Sequence, residues 1–288
     1  MQISVASGKG GTGKTLVATS LAISLKDTCN VQLIDCDVEE PDDHIFIRPD
    51  ITQREPVYVT NPSVDENLCI YCGKCSEVCA FNAIAVIENH ILMFSNLCHG
   101  CGACACLCPE GAISEKNREI GVIETGISGN LEFIQGMLTV GEAMATPVID
   151  QVKKKADKGK VVIVDTPPGT SCPVVHSVNG SDFCILVTEP TPFGMNDLAL
   201  AVETVQILGI QCGIIINRAG ENDSIIEGYC GEKDIPVLMK IPLETEIARV
   251  YSKGMTLSEG MPMWKEIFKA VFENIEELKV EGTGSIKR

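Results

Sequence analysis

Two groups of residues have spacings that can do chemistry. The first is Gly8-Lys9-Gly10-Gly11-Thr12-Gly13-Lys14-Thr15, which fits G-x-x-x-x-G-K-S/T between a β-branched run and a helical pattern. Glycines there let backbone N–H groups close around phosphate oxygens, and the helix N-terminus adds partial positive charge. Lys14 is then placed to contact β- and γ-phosphates, and the Thr15 hydroxyl to ligate Mg²⁺. The bland alternative, a glycine-rich turn with a solvated lysine, fits the strand–loop–helix context poorly. The second group is thiols. Of fifteen cysteines, nine lie between Cys69 and Cys108. They form the runs Cys69-x₂-Cys72-x₂-Cys75-x₃-Cys79 and Cys98-x₂-Cys101-x₂-Cys104-x₃-Cys108. Such density reads as metal ligation before it reads as disulfides.

These groups need elements to hold them. Short apolar or β-branched runs predict strands over 2–6, 31–34, 160–164, 183–187, 213–216 and 237–241. Helical spacing predicts helices over 15–25, 146–158, 195–208, 224–229, 244–252 and 263–278, with Thr146 as a cap and Pro147 opening the second. Strands alternating with helices imply an α/β fold, a mostly parallel sheet with helices on both faces. From about 61 to 118 this periodicity stops. Within that stretch Asn67 to Ile84 aligns on Asn96 to Ile113 at a constant offset of 29, with nine identities. The expected organisation is one discontinuous domain, 1–60 and 119–288, carrying a small inserted module, 61–118, built from two copies of one unit.

Composition narrows the function. Apolar residues are 45% and charged residues 22% of the 288, a globular balance. A net charge of −16 disfavours nucleic acid and anionic membranes as partners. No apolar run reaches the ~18 residues needed to span a bilayer. Met1-Gln2-Ile3-Ser4-Val5 opens directly into a strand, so a cytoplasmic protein is expected. The stripe Trp264, Ile267, Phe268, Val271, Ile275 and Leu278 on the last helix is better suited to core packing than to lipid, since its polar face is acidic.

The cysteine runs resemble the bacterial ferredoxin pattern. That resemblance implies two 4Fe–4S clusters, with the fourth cysteine of each run ligating the other cluster. Cys69, Cys72, Cys75 and Cys108 would hold one, and Cys98, Cys101, Cys104 and Cys79 the second. Zinc in two four-cysteine sites is the competing reading, disfavoured by the twice-repeated spacing. Ala80 stands where the second run has Pro109, which is expected to loosen one turn without removing a ligand. Cys106 and His99 are expected beside the ligands rather than among them. Cys29, Cys36, Cys184 and Cys212 read as core thiols, while Cys172 and Cys230 stay open.

The early lysine carries a second resemblance. Lys9-Gly-Gly-Thr-Gly-Lys14-Thr15 resembles the deviant P-loop of the MinD/ParA/Mrp and nitrogenase-iron-protein class of ATPases. The resemblance implies a slow, partner-stimulated ATPase that uses ATP and Mg²⁺ and forms a homodimer with nucleotide at the interface, where Lys9 reaches the partner's phosphates. It assigns Asp37 to positioning the attacking water and Asp165, in Val-Val-Ile-Val-Asp-Thr-Pro-Pro-Gly, to holding Mg²⁺ with Thr15. It also assigns Asn217, Arg218 and Pro242 to the base; Asp35 reads equally as a simple loop cap. The function expected first is nucleotide-gated electron transfer to an unidentified redox or iron–sulfur client. An Mrp-type cluster carrier comes second, although the C-x-x-C of those relatives is missing and only Cys212 and Cys230 occur in that region. A MinD/ParA-like switch with a sensing ferredoxin module is third, and an amide-forming synthase of the cobyrinate type last.

Overall fold

The computed structural model describes residues 1–284, so 285–288 of the expected main domain lie outside it. The chain begins β1 (Gln2–Ala6), α1 (Lys14–Leu25), β2 (Val31–Asp35), a short α2 (Asp43–Ile47) and β3 (Asp50–Val64). Residues 65–112 contain α3 (Lys74–Val78), the hairpin β4 (Ile84–Ile87) and β5 (His90–Met93), and α4 (Ala103–Cys106). Then come β6 (Ile113–Ser128), β7 (Leu131–Leu138), α5 (Thr146–Lys153), β8 (Val161–Asp165), α6 (Cys172–Val178) and β9 (Phe183–Thr188). The C-terminal part is α7 (Pro192–Ile207), β10 (Cys212–Ala219), α8 (Ser224–Lys233), β11 (Val237–Pro242), α9 (Thr245–Ser252), α10 (Leu257–Gly260) and α11 (Met263–Gly284).

The main sheet runs β11-β10-β9-β1-β8-β2-β7-β6-β3. It is parallel from β11 to β7, whereas β6 is antiparallel to both β7 and β3. The central strands are covered on both faces, which is why they read as continuous apolar runs. Ile3, Val5, Phe183, Ile185 and Val187 point into one core with α1 and α11, and Ala6, Cys184 and Leu186 into another with α7 and α8. Helix α1 is buried nearly all round, as its apolar composition requires. Trp264, Phe268, Val271 and Ile275 of α11 sit in the α1 core, so the stripe is core. Among the described residues no helix is long and apolar enough to cross a membrane.

Three strands were not expected: β3, β6 and β7. Strands β3 and β6 pair from Asp50↔Ile127 to Val64↔Ile113, forming a ribbon whose far end carries residues 65–112. The module boundaries read from the sequence, near 60 and 118, thus fall inside continuous strands. Most of β3 is exposed or half-buried, so it lacks the alternation that betrays a strand with one buried face. The helix expected over 146–158 is also corrected. Ala145, not Thr146, is its N-cap, and α5 ends at Lys153. Asp157 ends the segment in its own turn, accepting from the Gly159 N–H at 2.8 Å while its N–H donates to Gln32 Oε1 at 2.9 Å. Such local side-chain bonding competes with helix.

Candidate functional site

Strand β1 delivers the glycine-rich loop to the carboxyl edge of the sheet, the edge where open α/β sheets place ligands. Gly11 (φ 75°) and Gly13 (φ 97°) turn the loop through conformations that side chains disfavour. A Cβ on Gly13 would lie 2.3 Å from Asn217 Nδ2, so this position also requires close approach. Lys14 is buried at the start of α1, and the Ser7 hydroxyl donates to the Lys9 carbonyl at 2.6 Å, bracing the loop.

The Thr15 hydroxyl lies 2.8 Å from Asp165 Oδ2 and 2.9 Å from Asp42 Oδ1. It carries one proton and can donate to only one of them at a time. Burial favours protonation of these carboxyls. It raises Asp165 from 3.8 to about 7, against the pull of Lys14 and the Thr15 hydrogen bond, and Asp42 rises for the same first cause. Burial also raises Asp37 to about 6, opposed by Lys14. Asp35 does cap: its carboxylate accepts from the N–H groups of Asp37, Asp42 and Asp43 at 2.9, 3.1 and 3.2 Å and so shapes the whole 37–43 loop. Asp43 is fully buried with no hydrogen-bond partner on either oxygen, and Asp165 Oδ1 is likewise unpartnered. Burial raises both Asp43 and Asp35; the next cause is the charge of Asp35 for Asp43, and the charge of Asp165 for Asp35. A cluster of acids next to a phosphate loop, with unsatisfied oxygens, fits a hydrated Mg²⁺. Asp42 escaped the sequence reading. Its only signal was the acidic run Glu39-Glu40-Pro41-Asp42-Asp43.

At the other flank, Asn217 donates from Nδ2 to the Thr12 carbonyl at 2.7 Å and accepts the Arg218 N–H at 2.9 Å. Its amide therefore braces the phosphate loop. Arg218, left-handed at φ 53°, and Lys9 both pair with Glu189, at 2.7 and 3.7 Å. Glu189 was also missed; nothing in the Thr188-Glu189-Pro190 sequence singles it out. Pro242 ends β11 opposite Ala219.

The thiols gather in two cavities. One is lined by Cys69, Cys72, Cys75 and Cys108, and the other by Cys79, Cys98, Cys101 and Cys104. The repeat is visible in the backbone: Tyr71 and Gly100 (φ 52° and 64°), Gly73 and Gly102 (81° and 72°), and Asn82 and Gly111 (52° and 60°) are all left-handed at the same offset. Backbone N–H groups point at sulfur, Ala83 to Cys79 at 3.2 Å and Ala112 to Cys108 at 3.3 Å. This match corrects the expectation for Ala80, since the turn lacking proline keeps the hydrogen bond of the turn that has it. Tyr71 N–H likewise donates to Cys69 Sγ at 3.4 Å. Four convergent thiols served by N–H donors are a donor set for a soft metal centre carrying negative charge. His99 lines the second cavity and stacks on Phe81 at 3.7 Å; exposed Cys106 lines neither. All fifteen cysteines are free. Cys36, Cys184, Cys212 and Cys230 are buried, and burial pushes each thiol up, the last two to about 11, which keeps them protonated. Cys172 is exposed at the start of α6.

Comparison with known proteins places these features in a family. Residues 3–257 match the CobQ/CobB/MinD/ParA nucleotide binding domain. An uncharacterized protein of Methanocaldococcus jannaschii is 33% identical over 280 residues, covering 96% of this chain and 97% of the relative. A cytosolic Fe-S cluster assembly factor NUBP1 homolog of Brugia malayi is 25% identical over 88% of this chain and 73% of its own length. Among solved structures, the septum site-determining protein MinD of Pyrococcus horikoshii, complexed with Mg-ADP, superposes with a TM-score of 0.60 at 19% identity, covering 96% of each chain. Cyanothece apo McdA gives 0.56 at 16% identity over 94% of this chain and 98% of that one. These structures share the α/β fold with its mostly parallel sheet. With the phosphate loop, the acidic Thr15 pocket and a family match over most of its length, the chain belongs to the CobQ/CobB/MinD/ParA family of nucleotide-binding P-loop proteins.

Proposed function

We propose that this protein is an ATPase that couples its nucleotide state to electron transfer through two 4Fe–4S clusters held by residues 61–118. The observation that carries the reading is the pair of four-cysteine cavities, each drawing three thiols from one run and the fourth from the other. Cys69, Cys72, Cys75 and Cys108 would hold one cluster, and Cys98, Cys101, Cys104 and Cys79 the other. Such clusters supply one-electron chemistry, and eight protein thiolates leave no open iron position, which favours redox traffic over cluster donation. On the nucleotide side, Lys14 binds phosphate, Thr15 and Asp165 hold Mg²⁺, Asp37 positions the attacking water, and Asn217, Arg218 and Pro242 border the base. Lys9 reaches the phosphates of a second copy in a homodimer with nucleotide at its interface. The exposed side chains Phe193 and Leu243 on this edge suit a face that a second copy covers.

Coupling is supported by connectivity. The Cys36 N–H donates to the Asp165 carbonyl at 2.8 Å, and Leu138 N–H at the end of β7 donates to the Val38 carbonyl at 2.7 Å. From there the Thr139 N–H meets the Ile120 carbonyl on β6, the strand that leads to the thiols. Arg118, also on β6, pairs with Glu142 and donates to the Ser95 carbonyl, three residues before Cys98. The assembly-factor relative favours a second reading, cluster delivery. Iron analysis tests the proposal first. Anaerobically purified protein should contain about eight iron and eight sulfide per chain, two clusters of four. Bound zinc without broad visible absorption overturns it, and loss of iron to an apo-protein acceptor on ATP addition moves the reading to delivery.

A further inference from the structure

Glu189 belongs to none of the motifs, yet its carboxylate holds two cations at the nucleotide edge. Oε1 pairs with Arg218 at 2.7 Å and Oε2 with Lys9 at 3.7 Å. We propose that Glu189 is a positioning residue that retains Lys9 on its own subunit until the phosphates of a second copy draw it away. The proposal rests on the nucleotide-sandwich dimer proposed above and adds its regulation.

The carboxylate is fixed and the lysine is not. Glu189 is only 8% exposed. Its carbonyl accepts the Thr191 N–H at 2.8 Å, and Thr188 Oγ1 donates to the Gly194 carbonyl at 3.0 Å. Gly194 packs so closely that a Cβ there would meet the Glu189 carbonyl oxygen at 2.3 Å. This turn opens α7, and α7 in turn abuts the phosphate loop: a Cβ on Gly8 would lie 2.1 Å from the Asp197 carbonyl oxygen. Lys9, by contrast, has a side chain 35% exposed and is held at ion-pair rather than hydrogen-bond distance. A loose, partly screened pair of this kind is cheap to break. A phosphate carries more charge and more acceptors than one carboxylate already shared with Arg218, so it wins the ammonium when it arrives. Without phosphate, the same carboxylate sits between Lys9 and Arg218 and offsets one of their two charges, so the two cations do not face each other bare at one edge.

The experiment is sedimentation velocity of anaerobically purified full-length protein titrated with the non-hydrolysable analogue AMPPNP. Glu189→Gln should dimerise at about two- to fivefold lower nucleotide concentration, the worth of a partly exposed ion pair. Glu189→Asp, which keeps the charge, should return the midpoint towards wild type. Glu203→Gln, an exposed acid farther along α7, should not move it, which separates the effect from general loss of negative charge. In a Lys9→Ala background, which should not dimerise, Glu189→Gln should not restore dimerisation. A dimerising wild type whose Glu189→Gln variant needs as much nucleotide, or more, overturns the retention alone. An equal gain from Glu203→Gln, or dimerisation restored by Glu189→Gln in the Lys9→Ala background, overturns it too. A wild type that stays monomeric at saturating nucleotide overturns the sandwich reading and the retention with it.

Discussion

Thr15 stands between the buried Asp165 and the half-buried Asp42, and that arrangement sets how the nucleotide site responds to pH. Asp165 at about 7 and Asp37 at about 6 are both raised above 3.8, burial being the first cause. A raised carboxyl binds its proton more tightly folded than unfolded. It therefore stabilises the ligand-free fold below pH ~4, and this contribution is lost as pH rises through 6 and 7. Mg²⁺ favours the ionised forms, so the stabilisation by Mg-ADP should grow between pH 5.5 and 8, measured as a shift in Tm. A shift independent of pH would contradict this account of the acids. The two lysines should separate by role. Lys14→Ala should weaken nucleotide binding about ten- to a hundredfold, as expected for lost charged hydrogen bonds, in a fluorescent-nucleotide titration. Lys9→Ala should bind nucleotide but fail to dimerise with ATP. Gly8 to Thr15 and the cysteine runs were legible because their chemistry is contiguous in sequence. Asp42 was not, because it meets Thr15 only by folding across 27 positions, and Glu189 reaches Lys9 from the opposite side of the sheet's switch in strand order.

The elements divide by burial in the same way. Strands covered on both faces, such as β1, β8 and β9, announce themselves as apolar runs. The ribbon strand β3, with Arg54, Glu55 and Asn61 among its residues, gives no such signal, since its stability comes from the ladder with β6 rather than from a buried face. Turn chemistry was only half legible. Gly73, Gly100, Gly102 and Gly111 mark left-handed positions, but Tyr71 and Asn82 occupy the same conformation in the first repeat. Helix α11 was readable from its stripe, and its role can be weighed. Phe268 is fully buried against α1, so Phe268→Ala should cost about 3–5 kcal/mol and lower Tm by several degrees in a thermal melt. A melt unchanged by this substitution would free the helix from the core.

On the scale of the whole molecule, both chain connections to the thiol-bearing segment start from the nucleotide edge. One leaves through Asp37 and the Asp35-capped loop into β3. The other returns along β6 and β7 to Leu138, hydrogen-bonded to Val38. If nucleotide and electrons share this frame, their effects on one another must be reciprocal: ATP can shift the redox equilibrium only as far as oxidation state shifts ATP affinity. The most direct measurement is therefore ATP titration of the dithionite-reduced and the oxidised protein under argon, both with full iron content. The account predicts affinities that differ about fivefold or more, a coupling of ~1 kcal/mol upward. Equal affinities in the two redox forms would contradict nucleotide-gated electron transfer.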